Sequence, residues 1–308
     1  MRESGYLMGI DLGGTKIAAG VFSMDRRMLG EIATVPTQAD QPAEVTLGNL
    51  KRVAAEACRA AGAEGAPAAI GIGSTGPIEP QTGQVLDATS LPHLNFFELG
   101  VWVRQQLGAP VFMENDANCF ALGEALQGAG AGRPVVVAVT LGTACGCGIV
   151  MEGRIYSGVT GNAGEVAFCP VAGDNFDNML SGAGVQRFYE RVRGPGSGPS
   201  SLSAKEIGDL GEQGDAQALE AWRAFGKALG TALGTIAAVL DPSICVVGGS
   251  VSARWNLFEA PMVARLKTIV APPAAARLEV ARAKLGPRAG VIGAAEYAHY
   301  MLRSPAGD

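Results

Sequence analysis

The chain has 308 residues, of which 48% are hydrophobic and 17% charged, so it has enough apolar residues for two globular domains and is not disordered. Glycine and proline, with 44 and 17 residues, stay below the share typical of low-complexity chains, although glycine is about twice as frequent as the usual share of roughly 7%. A formal net charge of −5 and the lack of a Lys/Arg-rich run argue against a nucleic acid partner.

Histidine and cysteine restrict the chemistry further. Only His93 and His299 occur, so a histidine-rich metal centre is excluded and any general base is expected to be a carboxylate. The six cysteines form no Cys-x2-Cys pair and are expected to be reduced thiols. No segment has the roughly 18 uninterrupted apolar residues of a membrane-spanning helix. We therefore expect no membrane partner and a cytoplasmic location.

The first part of the chain is predicted to form an α/β domain. Short apolar runs at residues 6–10 and 17–22 flank a glycine turn and predict a β-hairpin. Residues 42–61 have apolar side chains at helical spacing and are followed by Gly62, which is typical of a helix end. The remaining predicted elements are a strand at 68–72, a Gly/Pro-rich loop at 73–80, a helix at 97–107 and a strand at 111–113.

The same order of elements then begins again. A β-branched strand at 134–141 leads into a second glycine turn at 142–148 and a short strand at 149–150. A long helix at 215–240 is expected to stop before Pro242. The remaining predicted elements are a strand at 244–247, a turn at 248–250, a helix at 291–302 and a surface loop at 193–203.

Two of these glycine turns are candidate phosphate-binding loops. Asp11 ends a strand and precedes Gly13 and Gly14, and a carboxylate followed by exposed backbone N–H groups suits a phosphate with Mg²⁺. An ordinary hairpin turn explains the same residues equally well. The turn at 142–148 has the same two interpretations. Two such turns after two strands favour two related domains that face one polyphosphate.

The segment 114–118 (ENDAN) lies where a strand ends and a helix begins. Helix capping explains one polar residue there, but the segment has four. In phosphoryl transfer to an alcohol, a positioned carboxylate accepts the hydroxyl proton while a metal ion and backbone amides hold the phosphates. Asp116 is therefore the candidate general base.

Three further segments have a structural and a functional interpretation. Glu165, beside glycines at 161 and 164, could bind sugar hydroxyls or lie in a solvated turn. Ser181 is expected to be a helix N-cap. Cys145 and Cys147 are interpreted as small side chains in a tight turn, since a second pair of zinc ligands is missing. About a third of the glycines, Gly71 and Gly184 among them, are expected in ligand-facing turns.

The order of the motifs resembles the ROK family (repressors, open reading frames and kinases) of the actin-like, sugar-kinase and Hsp70 ATPase superfamily. The resemblance covers nearly the whole chain, and residues 115–122 are especially similar to bacterial glucokinases and N-acetylglucosamine kinases. The matching segments are 11–16 (DLGGTK), 73–77 (GSTGP), 114–118 (ENDAN), 141–143 (LGT), 163–165 (AGE), 181–182 (SG), 241–242 (DP), 247–249 (VGG), 289–290 (AG) and 293–295 (GAA).

The resemblance implies an α/β fold of two actin-like (ribonuclease H-like) domains with a central cleft. Residues 1–115, completed by the C-terminal helix 291–308, would form the N-terminal domain, and residues 116–290 the C-terminal domain. It implies ATP and Mg²⁺ as cofactors, a small-molecule sugar as substrate, phosphorylation of a hexose at its 6-hydroxyl, and a homodimer.

The resemblance also implies the site residues. Asp116 would be the catalytic base, and Asp11 would bind Mg²⁺ through water. The expected sugar-binding residues are Gly76, Asn115, Asp116, Glu165 and Asp177. The expected nucleotide-binding residues are Asp11, Gly13, Gly14, Thr15, Lys16, Gly142, Thr143, Gly248 and Gly249.

The chain departs from the family pattern around Phe168. Family members usually have a histidine at this position, followed by a cysteine-rich zinc loop, whereas no cysteine lies between Cys169 and Ser181. We therefore expect no structural zinc and expect Phe168, Phe176 and Leu180 to order the loop by packing. Asp177 stands where the family commonly has a glutamate. Both changes affect sugar contacts, so the sugar is not fixed by the resemblance.

Several functions stay open on the sequence. A glucokinase-like hexose 6-kinase is the leading hypothesis, with an N-acetylglucosamine or fructose kinase of the same family as the alternative. Polyphosphate could replace ATP as the donor. A sugar-binding regulator with decayed catalysis is a hypothesis from another class. A family repressor would carry a helix-turn-helix, for which we expect no room before the strand that begins at Tyr6.

Overall fold

Two five-stranded sheets organise the chain, which is described by a computed structural model over residues 5–79, 82–195 and 201–304. The chain divides into two compact units. The first comprises Met1–Leu126 and Pro287–Asp308, and the second comprises Gln127–Gly286. Among the described residues, none of the helices combines the length and apolarity that a bilayer crossing requires.

The elements alternate between strands and helices along both units. In the first part of the chain they are β1 (Tyr6–Leu12), β2 (Lys16–Ser23), β3 (Met28–Pro36), α1 (Ala43–Ala61), β4 (Ala69–Ser74), β5 (Ile78–Glu79), β6 (Gln84–Val85), α2 (Leu99–Leu107), β7 (Val111–Asn115) and α3 (Asp116–Gln127). The later elements are β8 (Val135–Leu141), β9 (Cys145–Met151), β10 (Arg154–Ile155), β11 (Pro170–Val171), β12 (Asp174–Asn175), α4 (Phe176–Met179), α5 (Gly182–Arg193), α6 (Ala204–Glu212), α7 (Ala216–Leu240), β13 (Ile244–Gly248), α8 (Trp255–Lys267), α9 (Pro272–Arg277), β14 (Glu279–Arg282) and α10 (Ala289–Arg303).

The first unit has the strand order β3-β2-β1-β4-β7. Strands β1 to β3 are antiparallel neighbours, whereas β1, β4 and β7 run parallel to one another. The buried side chains of these strands pack against α1 and α2 to form one core. Parallel strands bring their carboxyl ends to one edge, and that edge carries the candidate site.

Helix α10 packs on the backbone of this sheet. A Cβ atom at Gly71 in β4 would lie 1.8 Å from the carbonyl oxygen of Ala294, and one at Gly9 in β1 would lie 2.1 Å from that of Val291. Only glycine allows so close an approach. The interpretation of Gly71 as a ligand-facing residue was therefore wrong, because its Cα faces a helix.

The second unit repeats the plan with the order β10-β9-β8-β13-β14, in which β8, β13 and β14 are parallel. Its core contains the 25-residue helix α7. The ring of Trp222 on α7 stacks on that of Phe258 on α8, with 5.9 Å between the ring centroids, and Phe225 on α7 contacts both rings edge-on. Helix α7 ends at Leu240, as the sequence predicts, and its C-cap Asp241 has a left-handed backbone and precedes Pro242.

Most predicted elements are confirmed, with several differences. Strands β3 and β14 and helices α6, α8 and α9 were not predicted. The glycine turn after β8 is shorter than expected, since Gly146, Cys147 and Gly148 belong to β9 rather than to a turn. Helix α3 lies in the first compact unit, so the division falls after Leu126 and not before Asp116. Within the predicted loop 193–203, residues 196–200 lie outside the described residues.

Candidate active site

The carboxyl edge of the first sheet brings together residues from three strands. Asp11 in β1 is in register with Gly73 in β4, and Gly73 is in register with Glu114 in β7. Asp116 follows β7 directly as the first residue of α3. Gly73 has no side chain, and a Cβ there would lie 3.6 Å from the Cα of Asp116. The sheet thus places two carboxylates, Asp11 and Asp116, at one edge.

The glycine turn between β1 and β2 is fixed by Thr37. The Thr37 hydroxyl donates to the carbonyl oxygen of Gly13 at 2.6 Å, and its N–H donates to the carbonyl oxygen of Thr15 at 3.0 Å. Gly14 packs against Ser90, because a Cβ at Gly14 would lie 2.8 Å from the Cβ of Ser90. Neither Thr37 nor Ser90 was predicted, since neither lies in a glycine motif or in a periodic pattern.

The electrostatics of Asp11 reflect its burial. The pKa of Asp11 is raised from 3.8 to about 6: loss of hydration is the largest cause, the negative charge of Asp116 adds to it, and the positive charge of Lys16 opposes it. The carboxyl group also lies against the start of α10, since a Cβ at Gly290 would be 2.8 Å from Oδ2 of Asp11. Lys16 is exposed at the first position of β2. A cation at Asp11 would offset the cost of ionising it.

Asn115 and Asp116 form the junction between β7 and α3. Oδ1 of Asn115 accepts hydrogen bonds from the N–H groups of Ala117 at 2.8 Å and Asn118 at 3.3 Å, so Asn115 caps the helix. Oδ1 of Asp116 accepts from Ala117 at 2.8 Å. Gly76 is close by, because a Cβ there would lie 3.2 Å from Nδ2 of Asn115. Four predicted positions, Gly76, Asn115, Asp116 and Asp11, therefore share one edge of the first unit.

The second sheet brings its two glycine turns together in the same way. Gly248 ends β13 beside Thr140 of β8, and Gly142 follows β8 at the same edge. Gly249 has φ of +81°, and a Cβ there would lie 2.3 Å from the carbonyl oxygen of Leu141, so no other residue fits. Thr143 is exposed in the turn. These backbone groups are candidate nucleotide contacts of the second unit.

Asp177 and Glu165 occupy different positions near β9. Oδ1 of Asp177 accepts a 2.8 Å hydrogen bond from the N–H of Cys145, which fixes the end of the glycine turn. Glu165 is exposed on the loop between β10 and β11. The carbonyl oxygen of Cys147 lies 2.6 Å from where a Cβ of Gly164 would be, so this loop packs on β9.

The expected packing of Phe168 was wrong. Phe176 and Leu180 are buried, with 4% and 1% exposure, but Phe168 is 87% exposed. Backbone hydrogen bonds hold this loop instead. The N–H of Cys169 donates to the carbonyl oxygen of Val166, and the N–H of Asp177 donates to the carbonyl oxygen of Ala167. Cys145 and Cys147 are likewise buried strand residues and not turn residues.

Two sheets of this kind, each with glycine turns at the carboxyl edge, define an actin-like α/β protein, and comparison with solved structures agrees. A ROK family glucokinase from Streptomyces griseus, crystallised in complex with glucose and AMPPNP, matches with a TM-score of 0.80 at 29% identity, covering 96% of this chain and 100% of that one.

Sequence comparison identifies the family. The model of the ROK family matches residues 7–300. A glucokinase of Thermotoga maritima is 29% identical over 94% of this chain and 96% of its own. An N-acetyl-D-glucosamine kinase of Pasteurella multocida is 31% identical over 93% of this chain and 97% of its own. The chain belongs to the ROK family.

Proposed function

We propose that this sugar kinase transfers the terminal phosphoryl group of ATP to the 6-hydroxyl of a hexose, with Asp116 as the general base. The assignment to the sugar kinases rests on relatives that carry this activity over nearly the full chain. The observation that carries the mechanism is the placement of Asp11 and Asp116 at one sheet edge beside the glycine turn at Gly13 and Gly14.

Asp116 would act on the sugar hydroxyl. The new bond forms between the sugar oxygen and the terminal phosphorus, the bond between that phosphorus and the bridging oxygen of ADP breaks, and the hydroxyl proton passes to the carboxylate. Asn115 would hydrogen-bond the sugar beside it, and Gly76 leaves the space in front of Asn115 open. Glu165 and Asp177 would supply further sugar contacts from the second unit.

The nucleotide would be held mainly by backbone groups. The N–H of Gly13 donates to the carbonyl oxygen of Lys16 at 3.1 Å and closes the turn. The N–H groups of Gly14 and Thr15 would then face phosphate oxygens, with Lys16 adding positive charge. In the second unit, Gly142 and Thr143 would face phosphate, and Gly248 and Gly249 would face the adenosine. The relative from Streptomyces griseus binds AMPPNP, which supports ATP as the donor.

Asp11 is the residue that would hold Mg²⁺, through water. A hard cation prefers oxygen ligands and keeps several waters when phosphates supply the rest. The described residues contain no group of three or more His, Cys, Asp or Glu side chains that could hold a metal. A single carboxylate with water and phosphate therefore fits the residues present. Bound there, Mg²⁺ would neutralise the charge that develops on the phosphates.

The central test is Asp116→Asn, which keeps the size of the side chain but removes the base. We expect kcat to fall by about 100- to 10,000-fold in a coupled assay of ADP release with the best sugar. The panel should contain glucose, N-acetylglucosamine, mannose and fructose, each with ATP, GTP and polyphosphate. Asp25→Asn, at an exposed carboxylate of the same unit, is the matched control and should retain full activity. Near-normal phosphorylation by Asp116→Asn would refute the mechanism.

The same panel distinguishes the alternatives. An N-acetylglucosamine kinase is favoured by the relative from Pasteurella multocida, and preference for the amino sugar would identify it. Sugar binding without ADP release would instead indicate a regulator with decayed catalysis. Homodimerisation and a cytoplasmic location stay predictions, and sedimentation equilibrium measures the first.

A further inference from the structure

Glu114 is a partly buried carboxyl group beside the proposed base, and the mechanism above does not use it. It lies in β7, one residue before the strand ends. Its Oε1 accepts two hydrogen bonds, from the backbone N–H of Asn115 at 2.8 Å and from Nδ2 of Asn118 at 3.0 Å. One carboxylate oxygen thus ties the end of the strand to the first turn of α3.

The two residues that donate these hydrogen bonds lie on either side of Asp116 in the sequence. Asn115 precedes Asp116, and Asn118 follows it by two residues. Oδ1 of Asn115 also accepts from the N–H groups of Ala117 and Asn118. The main chain is therefore held on both sides of Asp116, so the direction in which this carboxylate leaves the backbone is fixed.

The side chain of Asn118 depends on Glu114 for its orientation. Asn118 is 3% exposed, and its Oδ1 has no hydrogen-bond partner within the described part of the chain. Turning the amide over would bring Oδ1 against the Glu114 carboxylate, which is unfavourable because both atoms are acceptors. Burial raises the pKa of Glu114, while its hydrogen bonds from Asn118 and Asn115 lower it. The Glu114 carboxylate is therefore poorly hydrated, and the two hydrogen bonds from Asn115 and Asn118 take the place of water.

We propose that Glu114 is a positioning residue for Asp116, acting through Asn118 and the main chain of Asn115. Its Oε1 is engaged by Asn115 and Asn118, so its role would be to hold these residues and not to bind substrate. The inference rests on the proposed function, because it assigns Glu114 a role only if Asp116 is the base.

The test compares Glu114→Ala, Glu114→Gln and Asn118→Ala in steady-state kinetics. Glu114→Ala should lower kcat by up to about 100-fold without changing KM for ATP, because small misplacements of a reacting group have effects of this size. Glu114→Gln keeps an oxygen acceptor and should recover most of the rate. Asn118→Ala removes one of the two hydrogen bonds to Glu114 and leaves Glu114 in place. It therefore tests the same role if Glu114→Ala does not fold. It should also lower kcat.

The matched control is Glu296→Gln. Glu296 is 4% exposed on α10 and pairs with Arg26 at 3.2 Å, so it is a buried carboxyl group of the same unit with a different partner. This variant should keep the wild-type kcat. Wild-type kcat in folded Glu114→Ala, or equal losses in Glu114→Gln and Glu114→Ala, would overturn the positioning role.

A double-mutant cycle separates positioning from general stabilisation. If Glu114 acts through Asp116, adding Glu114→Ala to Asp116→Asn should cause no further loss of the residual rate. An equal loss in both backgrounds would show an independent structural effect and overturn the inference. Near-normal activity of Asp116→Asn alone would instead refute the proposed function, so the two failures are distinguishable.

Discussion

Asp11 and Asp116 are two carboxylates at one edge of one sheet, and the charge of Asp116 makes Asp11 harder to ionise. Burial is the larger cause of the raised pKa of Asp11, and the charge of Asp116 adds to it. The folded protein therefore holds a carboxylate in an unfavourable place. Such a cost is typical of functional sites, where a later ligand, here a cation with phosphates, supplies the missing partner.

Asp11→Asn should stabilise the protein at neutral pH. Because the pKa of Asp11 is about 6 when folded and near 3.8 when unfolded, the folded state binds more protons between these values, and stability falls as pH rises through them. The amide avoids this loss, which is about 2–3 kcal/mol at pH 7. Denaturant unfolding at pH 7 and pH 4 measures the difference, which should fall to about 0.5 kcal/mol at pH 4. Lower stability of Asp11→Asn at pH 7 would contradict the assignment. The variant should also lose kinase activity.

At the residue scale, the sequence predicted the candidate site residues but not the residues that hold them by hydrogen bonds. Asp11, Asn115 and Asp116 stand out because strand ends, glycines and polar runs mark them. Thr37 has no such mark. Glu114 lies in the polar run 114–118, but the run does not indicate which residues Glu114 binds, because those hydrogen bonds form only in the folded chain. Thr37 lies 24 residues from Gly13, whose carbonyl oxygen it binds.

At the element scale, the glycine surplus has a second cause besides ligand binding. Glycines allow helices to pack directly on backbone in both units. A Cβ at Gly293 in α10 would lie 1.7 Å from the carbonyl oxygen of Cys119 in α3, and one at Gly123 would lie 2.3 Å from that of Ala289. This close packing explains why α3 belongs to the first compact unit.

Gly71→Ala and Gly48→Ala test this role as a matched pair. Gly71→Ala places a methyl group against Ala294 and should destabilise the fold by about 3 kcal/mol or more, as overpacking does. Gly48 is exposed in α1, and a Cβ there would have no atom within 4 Å, so Gly48→Ala should stabilise by about 1 kcal/mol through helix propensity. Thermal unfolding measures both changes. Equal stability of the two variants would exclude the packing explanation.

At the scale of the whole molecule, metal removal separates catalysis from folding. Dialysis against EDTA should abolish phosphorylation and leave the melting temperature unchanged, because Mg²⁺ is proposed for catalysis only. Mg²⁺ alone should restore activity. A drop in melting temperature that only Zn²⁺ reverses would reveal a structural zinc site and contradict the expectation drawn from Phe168 and Cys169.

The sequence by itself determined the family, the α/β class, the repeated strand and glycine-turn order, and Asp11 and Asp116 as candidates. These are local signals, carried by short segments in a fixed order. The tertiary structure decided where Phe168 lies, that Gly71 faces a helix, and that Gly146 and Gly148 belong to a strand. It also showed that Thr37 holds the turn at Gly13. Such features depend on contacts between residues distant in sequence, and a glycine in the chain looks the same whether a phosphate or a helix approaches it.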